Sequence, residues 1–178
     1  FFEEPIREFN VREIARILKI SPATASKELK ILSKNGILTE RKERVYNLYK
    51  ANLDSDFYKD IKIFYNIRKL KDSGFVQALN DFYLYPTIIL FGSAADGLDT
   101  ETSDFDLVII SENTKDFPLL NKFEKKLSRE LQIFAVRSLK NLRNEQLIIN
   151  ILNGIVLQGE IHGFEGMFQE RANKENKG

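Results

Sequence analysis

An apolar run from Thr87 to Phe91 breaks into Gly92-Ser93, and a second run begins near Asp104 and continues to Ile110. Runs of this length and β-branched content, bounded by turn residues, predict two strands. On a strand, residues i and i+2 share a face, so Asp104 and Asp106 project together while Phe105, Leu107 and Ile109 point into a core. Two adjacent carboxylates repel unless a cation or water lies near them. A hard divalent cation such as Mg²⁺ takes carboxylate oxygens and leaves positions for substrate phosphates. Gly92 lacks a Cβ, so a phosphate could approach its backbone, and the Ser93 hydroxyl could donate to that phosphate. Metal-dependent phosphoryl transfer is the chemistry this stretch predicts.

The rest of the composition narrows the field by exclusion. With 178 residues, 43% hydrophobic and 30% charged, the chain can hold one ordinary globular domain or two small ones. It has no cysteine, which removes disulfides, thiolate metal sites and a cysteine nucleophile. A single histidine, His162, removes a multi-histidine zinc site within one chain. No apolar run is long enough to span a bilayer and no signal peptide is visible, so a cytoplasmic protein with no membrane partner is expected.

Charge is unevenly spread. Residues 1–50 carry eleven Lys/Arg against seven Asp/Glu, and the remainder sixteen against nineteen. Val11, Ile14, Ala15 and Leu18 recur at helical spacing, and Ser21-Pro22 opens a second helix with an N-cap and a first-turn proline. Asn35-Gly36 ends it. Ile37-Leu38-Thr39 and Val45–Tyr49 then predict a hairpin around the charged turn Glu40–Arg44. Helix, turn, helix and hairpin together resemble the winged helix-turn-helix domain of many prokaryotic regulators. The resemblance implies double-stranded DNA as a partner, with Ser21, Thr24 and Lys27 near base edges or phosphates and Lys30, Arg41, Lys42 and Arg44 meeting phosphates. A solvated lysine face, or a winged helix used for protein contacts, is the alternative.

Residues 51–84 predict a connecting helical segment, with Phe57, Ile61, Phe64 and Ile67, and Leu70 beyond, marking a helix of about four turns and a break at Asp72-Ser73-Gly74. Residues 85–163 form the second expected domain: the two strands above, a helix over Asp116–Glu130, a strand at Leu131–Val136 and a helical packing surface from Leu139 to Leu152. A polar tail occupies 164–178. The expected fold class is α+β, a winged helix-turn-helix followed by a small mixed-sheet domain with flanking helices.

Ten residues separate Ser93 from Asp104, and Gly92-Ser93 followed by Ser103-Asp104-Phe105-Asp106-Leu107 resembles the signature of the DNA polymerase beta-type nucleotidyltransferase superfamily. The layout through Asn153–Glu160 is similar to small archaeal members with an N-terminal winged helix. The resemblance implies that Gly92, Ser93 and Ser103 bind the nucleotide and that Asp104 and Asp106 ligate Mg²⁺ or Mn²⁺ and are catalytic. The implied reaction moves a nucleoside monophosphate from an NTP, ATP being the expected donor, to a hydroxyl. It further implies an antitoxin-like role, with a HEPN-type toxin as protein acceptor, and leaves a homodimer open.

The family supplies a third carboxylate from a neighbouring strand, and Gln132 stands at the expected position. An amide carries no charge and cannot act as a base. Glu130, beside it, is expected on the opposite face. The alternative function is therefore a DNA-binding regulator or antitoxin whose nucleotidyltransferase domain is not catalytic. Asp96, Asp99 and Glu101 are expected to solvate the loop, His162 to pack or lie at the surface, and Arg137, Lys140 and Arg143 to form a solvated helical face.

Overall fold

The computed structural model describes residues 1–161. The expectations for His162 and for the tail at 164–178 lie outside the described residues. The described residues divide into two compact units, one built from Phe1–Lys69 and Ser93–Asp104, the other from Leu70–Gly92 and residues 105–161. Both mix helix and sheet.

In the first unit, β1 (Phe9–Asn10) leads into α1 (Val11–Leu18), α2 (Pro22–Lys34), β2 (Leu38–Glu43), β3 (Tyr46–Ala51) and all but the last turn of α3 (Asp56–Asp72). Asn10 caps α1 by accepting from the Glu13 N–H, and Ser21 caps α2 by accepting from the Thr24 N–H. Lys19, at φ 54°, ends α1 in the left-handed region. The three strands form an antiparallel sheet in the order β1-β3-β2. Ile14, Ala15, Ala25 and Leu29 from the two helices pack with Phe9, Leu38 and Tyr49 from the sheet.

Two expectations fail here. The charged run Glu40–Arg44 is not a turn: β2 continues to Glu43, and the chain reverses at Arg44-Val45, with Arg44 at φ 53°. Every β2 side chain after Leu38 is exposed, so extending a charged strand costs no desolvation, and its backbone gains a partner in β3. The buried face of α3 is also not the predicted one. Phe57 and Phe64 are 54% and 64% exposed, whereas Tyr58, Lys62 and Asn66 are buried together with Leu70, the one residue of the predicted set that is fully buried. These four recur at i, i+4, i+8 and i+12, one helical face.

The second unit contains α4 (Phe75–Tyr83), β4 (Thr87–Phe91), β5 (Phe105–Ile110), α5 (Leu120–Leu127), β6 (Leu131–Val136), α6 (Glu145–Leu152) and β7 (Ile155–Gln158). Its mixed sheet has the order β6-β5-β4-β7. β4 and β5 pair antiparallel, whereas β5 and β6 are parallel and need the α5 crossover between them. Ile88, Ile89 and Leu90 of β4 and Phe105, Leu107, Val108 and Ile109 of β5 are fully buried, as central strands covered on both faces require. One face packs Ile89, Phe91 and Val108 against Leu139 and Ile151. An aromatic cluster joins Phe75 to Phe117 and Phe123, at 5.9 and 5.2 Å between ring centroids.

Helix α5 is shorter than Asp116–Glu130, because Pro118 restrains the residue before it and Ser128, at φ 52°, ends the helix. The stretch from Leu139 splits into a 3₁₀ turn (Leu139–Asn141) and α6, which Asn144 caps by accepting from Leu147 N–H. Strand β7, unforeseen in the sequence, pairs antiparallel with β4, and Asn80 Nδ2 donates to Gln158 Oε1 at 2.8 Å. No helix among the described residues is long and apolar enough to cross a membrane.

Candidate functional site

Strand β4 ends at Phe91, whose register partner on β5 is Asp106. Gly92 follows at φ 70° and opens a 3₁₀ turn over Gly92–Ala94. A Cβ on Gly92 would stand 2.5 Å from Asp106 Oδ2, so the carboxylate occupies the space a side chain would fill. Conformation and contact both demand glycine here. The paired strands thus bring the glycine of the Gly-Ser turn against one carboxylate of the Asp104/Asp106 pair. Asp104 directly precedes β5, and both aspartates are half-buried. Ser93 is half-buried as well.

The segment Ser93–Asp104 belongs to the first unit and is held by its own hydrogen bonds and by α3. Leu98 N–H donates to Ser93 O at 2.9 Å, and Thr100 N–H donates to Ser103 Oγ at 2.9 Å. Ser103 Oγ therefore closes the turn Thr100–Ser103 that leads into β5. Asn66 Nδ2 donates to Ala94 O at 3.0 Å and to Asp99 Oδ1 at 2.7 Å. Lys62 Nζ lies 3.0 Å from Asp99 Oδ2, with both side chains fully buried. A Cβ on Gly97 would meet Lys59 O at 2.5 Å. Asp99 is thus not a solvating loop residue: the Lys62 ammonium compensates its charge and Asn66 satisfies one oxygen. Asp96 and Glu101 are exposed, as expected. Lys62 and Asn66 were missed because a buried lysine has no signature in hydrophobic periodicity. Their spacing with Tyr58 was the available signal.

The pairing of β5 with β6 places Gln132, where the resemblance implies a carboxylate in the family. β5 and β6 run parallel with Asp106 opposite Gln132, an exposed amide. Glu130 precedes β6, and its carbonyl accepts from Phe105 N–H at 3.0 Å, which continues the ladder by one step. Glu130 and Gln132 are two residues apart, both exposed, on either side of buried Leu131. Strand alternation therefore puts Glu130 on the same face as Gln132, not the opposite one. Among the described residues no group of three His, Cys, Asp or Glu side chains is close enough to hold a metal ion.

In the N-terminal elements, Ser21 and Thr24 are exposed, but Ser21 Oγ is engaged with Thr24 N–H at 3.0 Å and with Thr24 Oγ1 at 2.8 Å. Lys27, Lys30, Lys42 and Arg44 are exposed. Arg41 donates to Glu8 at 2.7 and 3.0 Å and to Glu43 at 2.7 Å, hydrogen bonds that raise its pKa and keep the guanidinium charged beside two carboxylates. A groove of about 440 Å³ lies where Arg12 at the start of α1, Pro22 at the start of α2 and Tyr46 of the hairpin converge. Arg12 and Tyr46 were not sequence candidates. Lys140 and Arg143 are exposed, and Arg137 lies 3.8 Å from Glu112.

Residues 85–160 match the family model described as "Polymerase beta, Nucleotidyltransferase", so this stretch carries a nucleotidyltransferase-type domain. A chain of the solved structure described as "Crystal structure of the toxin-antitoxin with AMP-PNP" is similar at 21% identity, with 58% of this chain and 90% of that chain covered and a TM-score of 0.45. No curated protein matches the chain.

Proposed function

We propose that the chain transfers a nucleoside monophosphate from an NTP, ATP being the expected donor, to a hydroxyl acceptor. The observation that carries this reading is the Asp106 carboxylate seated over the Cβ-free Gly92, inside a stretch that matches a nucleotidyltransferase family. In this reading Gly92 and Ser93 receive the triphosphate, and Ser103 keeps the intervening loop closed. Asp104 and Asp106 hold Mg²⁺ or Mn²⁺. Their donor set fits Mg²⁺, which is commonly bound through one or two carboxylates and completed by water and substrate phosphates. When bound, the metal neutralises charge developing on the phosphates. The acceptor oxygen forms the new bond to the α-phosphorus, the bond to the β-phosphate oxygen breaks, pyrophosphate leaves and the acceptor's proton passes to water. The first unit serves in this reading as a winged helix for double-stranded DNA, supported by exposed Lys27, Lys30, Lys42 and Arg44.

The test is incubation with labelled NTPs and Mg²⁺ or Mn²⁺ against candidate acceptors, a HEPN-type toxin among them. Label transfer that Asp104→Asn and Asp106→Asn each abolish supports the assignment, and full transfer by both variants defeats it.

The register of Gln132 beside Asp106 favours a second reading. With an amide in place of a carboxylate, the domain binds nucleotide without turnover, and the chain acts as a DNA-binding regulator or antitoxin. Saturable MgATP binding with no label transfer to any acceptor distinguishes this case.

A further inference from the structure

The loop that carries Ser93, Ser103 and Asp104 is tied to α3 at three points. Asn66 bonds the Ala94 carbonyl, the Gly97 backbone lies against the Lys59 backbone, and Asp99 is gripped by Lys62 and Asn66. The Lys62–Asp99 pair is fully buried, where an ion persists only with a compensating partner. Lys62 Nζ also donates to the Phe2 carbonyl. The N-terminal segment packs on the same helix, with the Phe2 ring 5.5 Å from Tyr58 and 5.1 Å from Tyr65, and with Glu3 held 2.7 Å from Lys69 Nζ.

We infer that Lys62, Asn66 and Asp99 are positioning residues that fix the backbone of the loop between Ser93 and Asp104, and so set the geometry with which those two residues meet an NTP. Without the ties, the ten residues between Ser93 and Asp104, mostly small and polar around Gly97, would sample many conformations, and ordering them would weaken nucleotide binding. Lys62 performs this through two bonds at once. Its ammonium compensates Asp99 on the loop side and satisfies the Phe2 carbonyl on the other. The inference rests on the nucleotide-binding reading above, but its first readout does not.

The test uses the full chain, with hydrogen exchange of the Ser93–Asp104 amides and MgATP affinity measured in parallel. Asp99→Asn keeps the shape and removes the carboxylate charge that faces Lys62. Lys62→Met/Asp99→Leu removes both charges together, which preserves folding where the single change destabilises it. The expected result for the double variant is a melting temperature near wild type, loop exchange faster by about tenfold and MgATP affinity weaker by about tenfold, the loss common when an outer-shell partner is removed. Unchanged loop exchange in the folded double variant overturns the anchor. Faster exchange with unchanged MgATP affinity overturns the positioning role. Failure of the wild-type chain to bind MgATP overturns the nucleotide reading instead, and the exchange data then decide the anchor alone.

Discussion

At the scale of single residues, Gly92 concentrates the most constraint. Its φ of 70° and the Asp106 oxygen 2.5 Å from its missing Cβ act on the same atom. Gly92→Ala is expected to lose about 1–2 kcal/mol from left-handed strain alone and to push the Asp106 carboxylate aside. Urea unfolding reads the first effect and MgATP titration the second, so a variant with wild-type values in both would contradict the geometry. Gln132 is the complementary test. Placing a carboxylate beside Asp106 by Gln132→Glu is expected to raise label transfer by about 10²-fold, provided the missing acid limits turnover. Equal rates before and after would show that it does not. The Gly92-Ser93 and Asp104/Asp106 pattern was legible because it is local. The face of Glu130 follows from the same alternation rule, which puts it with Gln132.

At the scale of elements, the start of α2 was legible from its cap. Ser21 accepts the Thr24 N–H at 3.0 Å, and Ser21→Ala is expected to cost about 1 kcal/mol by chemical denaturation. The exposed lysines of α2 and the hairpin arginine Arg41 are predicted to behave differently on DNA. Lys27→Ala and Lys30→Ala should each reduce the slope of log affinity against log salt by about 1 if each meets one phosphate. Arg41→Ala should change that slope little, because the guanidinium is already paired with Glu8 and Glu43. Fluorescence anisotropy on a duplex across a salt series measures both, and equal slopes in all variants would remove DNA phosphates as the partner of this face. Helix α3 was legible as a helix but not in its orientation. Periodicity chose the phenylalanine face, whereas the buried face carries Lys62 and Asn66, which acidic and carbonyl partners make tolerable inside.

At the scale of the whole molecule, buried tyrosines set an alkaline limit. Burial raises the pKa of Tyr58, and the Asp99 charge adds to it. Tyr49 and Tyr83 are raised by burial as well, with Glu40 and Asp116 contributing. A group whose folded pKa exceeds its unfolded value binds more protons in the native state. Its contribution is complete below the unfolded value of about 10 and falls as pH rises through the folded one. Stability is therefore expected to decline above about pH 10, with tyrosinate absorbance rising in step with unfolding. Tyr58→Phe should flatten that decline, and titration of all tyrosines well before unfolding would contradict their burial.

What the amino-acid sequence determined by itself is whatever depends on a few neighbouring residues: the Ser21 cap of α2, the strands β4 to β6, the glycine turn and the aspartate pair. The tertiary structure alone decided which strand position faces Asp106, which face of α3 is buried and why Asp99 is inside. Those outcomes depend on partners far along the chain, as with Asn66 and Asp99, 33 residues apart. A charge can be buried only where such a partner arrives to compensate it, and no local pattern records that arrival.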